Sequence, residues 1–140
     1  MLKKLFVSVF LCSSCLLFAQ EQTEVLPSIQ FDSQKIDIGE HPYVAGTTYR
    51  YDFVYENTGE VPLIVNRVTA GCPCVSITFS TDPLPPGQRD TVVVFFTPTH
   101  ASRYSQRLTV FSNSDRPALT LFAKGTFLKP EGSKKKKVKE

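Results

Sequence analysis

An all-β chain folded as an immunoglobulin-like β-sandwich of about seven antiparallel strands is predicted by three observations. From Ser28 onward apolar residues recur with period two, and no 3.6-residue stripe is sustained. Turn-forming clusters such as Asn57-Thr58-Gly59-Glu60, Asp82–Gly87 and Asn113–Pro117 punctuate the pattern. The span that carries the pattern, 28–128, suits one domain with one core.

Taken in order, Ile29-Gln30-Phe31 and Ile36-Asp37-Ile38 read as a broken first strand ending at Gly39. Tyr49, Tyr51, Phe53 and Tyr55 alternate with Arg50, Asp52 and Glu56, which predicts a half-buried strand with its aromatics inward. Asn57 to Glu60 turns the chain, Asn and Gly being the residues that tolerate positive φ. Leu63-Ile64-Val65 opens the next strand, with Pro62 at its start, where a missing N–H does least harm. Val75 to Phe79 is a short strand, and the three prolines of Asp82–Gly87 make a stiff loop. Thr91 to Thr97 (TVVVFFT) is the most strand-like segment, with Val92, Val94 and Phe96 on the core face and Pro98 at its end. Tyr104 to Ser112 directs Leu108 and Val110 inward. The last strand, lined by Leu119, Leu121 and Ala123, runs to about Leu128, with Gly125 marking a bulge or a close backbone approach.

Both termini read differently from this body. Lys3-Lys4, the apolar run Leu5–Phe18 and the small residue Ala19 have the layout of a secretory signal peptide over 1–19, cleaved near Ala19-Gln20. The run is shorter than the ~20 residues that span a bilayer. A lipoprotein acylated at Cys15 is the rival, and Leu16-Leu17-Phe18, prolonging the apolar run past Cys15, argues against it. A linker follows over 20–27. Residues 129–140 form a Lys-rich tail expected to be disordered, in which Lys134, Lys135, Lys136 and Lys137 offer a weak contact with an anionic surface. From Gln20 to Leu128 there are eight basic and eleven acidic side chains, so the basic pI belongs to the tail and the body carries no nucleic-acid footprint. No later segment is long and apolar enough to cross a membrane, and export puts the mature protein in the periplasm or cell envelope.

Removal of the signal peptide takes Cys12 and Cys15 with it, leaving Cys72 and Cys74 as the thiols of the mature chain, in an oxidising compartment. On a strand the two would point to one side. Three readings stay open. The pair forms a reducible disulfide, strained because an extended strand holds the two Cα atoms roughly 6.5–7 Å apart and Pro73 resists adjustment. It binds a soft metal, Cu(I) or Zn(II), for which only His41 and His100 remain as further ligands, without supporting spacing. Or it is two half-buried thiols packed at a strand end. His41 and His100 read as surface-loop histidines, and Asp32 and Asp37 as turn or edge carboxylates. No Gly-x-Ser-x-Gly, His-Glu-x-x-His or Walker pattern is present.

Several phrases occur together in a specific order: Ile36-Asp37-Ile38-Gly39, the Tyr51–Leu63 run with Glu56-Asn57-Thr58-Gly59-Glu60-Val61-Pro62-Leu63, the Cys-x-Cys, Leu84-Pro85-Pro86-Gly87 ahead of Val92-x-Val94-x-Phe96, and Leu108-Thr109-Val110-x-Ser112-Asn113. In these the chain resembles the bacterial family catalogued as domain of unknown function 1573, similar to Hydin-type, major-sperm-protein and PapD-like immunoglobulin modules. The resemblance covers Phe31 to Phe127. Its members usually carry Cys-Gly-Cys, where this chain has Pro73. The resemblance implies an exported sandwich acting as an interaction module, with no established activity.

The functional expectation is a non-catalytic binding or scaffolding module of the cell envelope with a protein partner, no cofactor and no bound nucleic acid. The alternatives are a thiol-redox or soft-metal-handling protein acting through Cys72 and Cys74, and a PapD-like periplasmic chaperone.

Overall fold

Residues 24–131 are described by a computed structural model. Residues 1–19, expected to be a signal peptide and carrying Cys15, and the Lys134–Lys137 run lie outside the described residues. Eight strands form in chain order: β1 Ile29–Phe31, β2 Lys35–Pro42, β3 Tyr49–Asn57, β4 Val65–Ala70, β5 Val75–Thr78, β6 Arg89–Phe96, β7 Arg103–Ser112 and β8 Ala118–Leu128. They make two four-stranded sheets, ordered β1-β3-β6-β5 and β2-β8-β7-β4.

The sandwich and its core follow the alternation read from the sequence. Tyr51, Phe53 and Tyr55 of β3, Val92, Val94 and Phe96 of β6, Leu108 and Val110 of β7 and Leu121 and Ala123 of β8 are all buried. Leu119 and Tyr49 are partly buried against them. Phe127 draws the sheets together at one end, its ring centroid 4.9 Å from that of Tyr49 and 5.7 Å from those of Phe96 and Tyr104. Interlocked aromatic edges and faces of this kind add to the stabilisation from burial alone.

Two expectations are corrected. The broken first strand is two strands in different sheets, which makes the total eight. The Asp32 N–H still bonds Val54 of the first sheet, whereas the Gln34 carbonyl already accepts the Phe122 N–H of the second, and the Ser33 hydroxyl bridges the step to Lys35. The second strand also runs past Gly39 to Pro42, and it pairs with β8 in parallel, so the sandwich is not wholly antiparallel. Gly39, at φ 81°, takes up the register shift after Asp37. This shift turns His41 inward.

The glycines of the loops and last strand work through space more than through φ. Gly59 lacks the positive φ expected of that turn. A Cβ there would lie 2.5 Å from the Ser28 backbone nitrogen and 2.8 Å from Pro27 Cα. Pro27 is buried, its carbonyl accepts the Asp115 N–H, and the Ser28 carbonyl accepts the Thr58 N–H, so the packed chain begins one residue ahead of the expected boundary. Gly125 admits Ile38 in the same way, a Cβ meeting Ile38 Cγ1 at 2.9 Å. Asn57, fully buried, ties the turn together: its Nδ2 donates to Val61 O and Leu84 O, and its Oδ1 accepts the Gly59 N–H.

Two measurements follow from this packing. Gly59→Ala is expected to destabilise the domain by about 1–3 kcal/mol, because the obstacle is backbone and cannot rotate away; an unchanged urea midpoint would refute the close approach. The second is the response to alkali. Burial pushes the Tyr51 hydroxyl up to about 12, and Tyr55 is raised as well, by burial and then by the Asp90 carboxylate beside it. Both hold their protons more tightly when folded, so their contribution is complete below pH ~10 and is lost as pH rises from there toward 12. Tyr51→Phe, which removes a buried hydroxyl without a partner among the described residues, is expected to flatten that decline without loss of neutral-pH stability.

Candidate functional site

One flank of the sandwich combines the cysteine pair with two strand edges. β4 ends one sheet and β5 ends the other, and the segment Gly71–Cys74 carries the chain between them. Cys72-Pro73-Cys74 is a turn, which corrects the strand expected there. The Val75 N–H bonds the Cys72 carbonyl at 3.2 Å, placing Pro73 second in a four-residue turn where its fixed φ is an advantage. Folding back in this way brings the two Cα atoms to 5.2 Å, within the ordinary span of a disulfide, and the sulfurs are bonded. The strain argued from an extended strand therefore loses its basis.

The pair is half-buried and held from both sheets. The Cys74 carbonyl accepts the Thr97 N–H at the end of β6, and the Cys74 N–H points at Cys72 Sγ at 3.2 Å. From the facing sheet, Gln106 of β7, buried at 7% exposure, directs Nε2 to Cys74 Sγ at 3.7 Å. Gln106 is not among the site residues expected from the sequence. Its signal was available: it sits at an inward parity position of the Tyr104–Ser112 strand, two residues before Leu108. A buried amide with sulfur for a partner is the distinctive polar contact of this flank.

The histidines join the same end of the sandwich by different routes. His41, expected in a surface loop, lies on β2, half-buried. Its Nε2 is 2.7 Å from the Ile38 carbonyl, and its ring is 5.1 Å from Tyr49 and 6.0 Å from Phe127. His100 is an exposed loop residue, and its backbone N–H and carbonyl both bond the Tyr104 hydroxyl. Neither contacts the cysteines. Among the described residues no three of His, Cys, Asp and Glu gather into a group that could hold a metal ion, so the metal reading lacks a third ligand. Asp32 and Asp37 are where they were expected. Asp32 pairs with Arg89 in the turn after β1, and Asp37 on edge strand β2 accepts the Gly39 N–H, which with Lys124 holds its carboxyl below the usual range.

Among the described residues no strand pairs with the outer edge of β4. The Gly71 N–H bonds the Arg107 carbonyl, and the register is regular from Arg67 to Ala70. Antiparallel pairs alternate between bonded and non-bonded, so Arg67, Thr69 and Gly71 face β7 while Val68 and Ala70 turn their N–H and C=O groups outward. The other edges are less suited to pairing: β1 has three residues, β5 has four, and β2 carries the Gly39 bulge and Pro42. Among the described residues no helix is long and apolar enough to cross a membrane.

Solved structures share this architecture. A protein of unknown function from Porphyromonas gingivalis W83 superposes with a TM-score of 0.62 at 16% identity, over 72% of this chain and 47% of that one. This chain thus spans about half of that protein. The ASH/PapD-like domain 7 of human CEP192 gives 0.62 at 14% identity, covering 76% of this chain and 89% of the domain. The VesB protease of Vibrio cholerae gives 0.54 at 16%, over 73% of this chain and 31% of the protease. At these identities the likeness is one of fold. Comparison with curated protein sequences gives no match. Residues 29–127 match the family described as "Protein of unknown function (DUF1573)", and the chain belongs to that family.

Proposed function

We propose that this protein is a non-catalytic binding or scaffolding module of the bacterial cell envelope, and that it receives a partner strand along β4. The observation that carries the reading is the outward pair of backbone groups at Val68 and Ala70, on the regular stretch Arg67–Ala70 that follows the register shift at Asn66 and is free of proline and lysine. Added strands gain main-chain hydrogen bonds at such an edge, and alternate side chains supply specificity. The PapD-like likeness supports the reading at the level of fold. Export belongs to the same proposal and rests on Lys3-Lys4, the Leu5–Phe18 run and Ala19. The partner is a protein with an extended segment. A client that is released after folding would instead make the protein a chaperone of the PapD-like kind.

The test is capture of the partner from the native envelope by the exported chain, followed by hydrogen exchange. Val68 and Ala70 amides are expected to gain protection in the complex. Val68→Pro removes one outward N–H without touching a rung to β7, so capture is expected to fall about tenfold or more while the melting temperature moves little. Undiminished capture by this variant would remove strand addition from the reading.

The Gln106 contact favours a second reading, thiol–disulfide exchange at Cys72–Cys74. A dithiol partner would be oxidised to its disulfide as the Cys72–Cys74 bond accepts two electrons and two protons. Protein isolated under oxidising conditions is expected to resist alkylation until reduced and then to titrate two thiols. Because the ring is so small, Cys72→Ser with Cys74→Ser is expected to cost little stability. Two freely alkylated thiols before reduction would exclude the exchange.

A further inference from the structure

The charge count of the body conceals a strong segregation. Between Glu24 and Leu128 the chain carries eight Lys and Arg and ten Asp and Glu. Strand parity places five of those cations, Lys35, Arg67, Arg103, Arg107 and Lys124, on the outer face of the sheet β2-β8-β7-β4, all of them exposed. Two carboxylates, Asp37 and Glu40, share it, both on edge strand β2. The register aligns these residues in rows across the sheet: Glu40, Thr126 and Arg103; Asp37, Lys124 and Ser105; Lys35, Phe122 and Arg107; and, toward the β4 edge, Phe111 and Arg67.

On the opposite outer face the cations are neutralised, Arg50 by Asp52 and, at its rim, Arg89 by Asp32. On the basic face the ion pair among the described residues is Lys124 with Asp37, at 3.4 Å. Among the described residues, Arg67, Arg103, Arg107 and Lys35 form no ion pair with a carboxylate. Two of the guanidiniums are braced instead on aromatic rings, Arg67 Cζ 4.3 Å from the Phe111 centroid and Arg107 Cζ 5.7 Å from that of Phe122. Between Lys35, Lys124, Ser105 and Phe122 lies a shallow open hollow of about 390 Å³.

We infer that this face docks an acidic protein segment, whose carboxylates pair with Arg67, Arg107, Lys35 and Lys124. A guanidinium braced against a ring on a rigid sheet is preorganised for the two oxygens of a carboxylate, and less of its freedom is lost on binding. An anionic lipid surface fits less well. Of the large apolar side chains that are strongly exposed, Val25, Leu26 and Val44 lie outside the strands of the face; Leu128 shares the outward side of β8 with Lys124 but stands alone at its end, and Phe111 and Phe122 are partly covered by their arginines. The chain's own C-terminal segment is Lys-rich and carries the wrong sign to fill it. The inference goes beyond strand addition and is separable from it, since Val68→Pro leaves every cation of the face in place.

The test uses the full chain and three probes: a polyglutamate peptide, vesicles of anionic phosphatidylglycerol and a single-stranded oligonucleotide. Polyglutamate is expected to bind with an affinity that falls as salt rises. Arg67→Glu with Arg107→Glu is expected to weaken it about tenfold, whereas Arg50→Glu on the other face leaves it unchanged. All variants keep the same Lys-rich tail, so the difference between them reports the face. Melting curves confirm folding, and Arg67→Gln with Arg107→Gln gives an intermediate loss if charge is the cause. Equal polyglutamate binding by the reversed and parent proteins would overturn the inference. So would binding of vesicles or oligonucleotide in preference to polyglutamate.

Discussion

A four-stranded sheet with one apolar face cannot stand in water alone, and here two such sheets solve the problem for each other. The contact that makes the solution specific is the aromatic junction around Phe127, where β8 of one sheet meets Tyr49 of β3 and Phe96 of β6 in the other. Tyr104 and His41 close around the same ring from its own sheet. Fixing Phe127 fixes the register of β8, and β8 is the strand to which both β7 and the parallel β2 are paired. The position of the β4 edge and the alignment of the basic rows are both inherited from that register.

Two crossings between the sheets then determine what the flanks can do. At one, Asp32 to Gln34 hands the chain from β3 to β8 within three residues, and the resulting β2 edge is bulged and ends in proline. At the other, Gly71 to Cys74 hands it from β4 to β5, and next to the disulfide turn β4 runs as a regular edge from Arg67 to Ala70 with outward backbone groups. Gln106 fixes the turn to the facing sheet through sulfur, where a hydrocarbon contact would otherwise have sufficed. The protected flank and the open flank are thus consequences of how each crossing is built.

Much of this was legible in the sequence wherever parity acts locally. Tyr51-x-Phe53-x-Tyr55 and Val92-x-Val94-x-Phe96 declare their buried face without reference to any partner, and those residues form the core. What was hidden depends on pairing between distant segments. Nothing local tells Ile36 and Ile38 that their partner is Ala123 and its neighbours in parallel, or that the bulge at Gly39 will turn His41 toward Phe127. The local pattern marks Gly59 as a turn residue, whereas its true constraint is the backbone of Pro27 and Ser28, some thirty residues earlier in the chain. The strand pattern of Val75 to Phe79 extends by parity to Cys72 and Cys74, although Pro73 favours the second position of a turn equally well.

The charge pattern shows the same division between sum and arrangement. A net count over the body gave a small negative number and, correctly, no overall basic character. Parity along β7 and β8, combined with the order β2-β8-β7-β4, sorts the same side chains into a cationic face and a neutralised one. Arg67 and Arg107 lie on different strands and far apart in sequence, yet each meets a phenylalanine of the adjacent strand because cross-strand neighbours on one face are forced together. Charge that is unpaired within a fold, and ordered by a rigid sheet, is costly to the free protein through mutual repulsion. An acidic partner relieves that repulsion on binding, so the same feature that slightly weakens the isolated domain supplies both the attraction and the selectivity of the docked one.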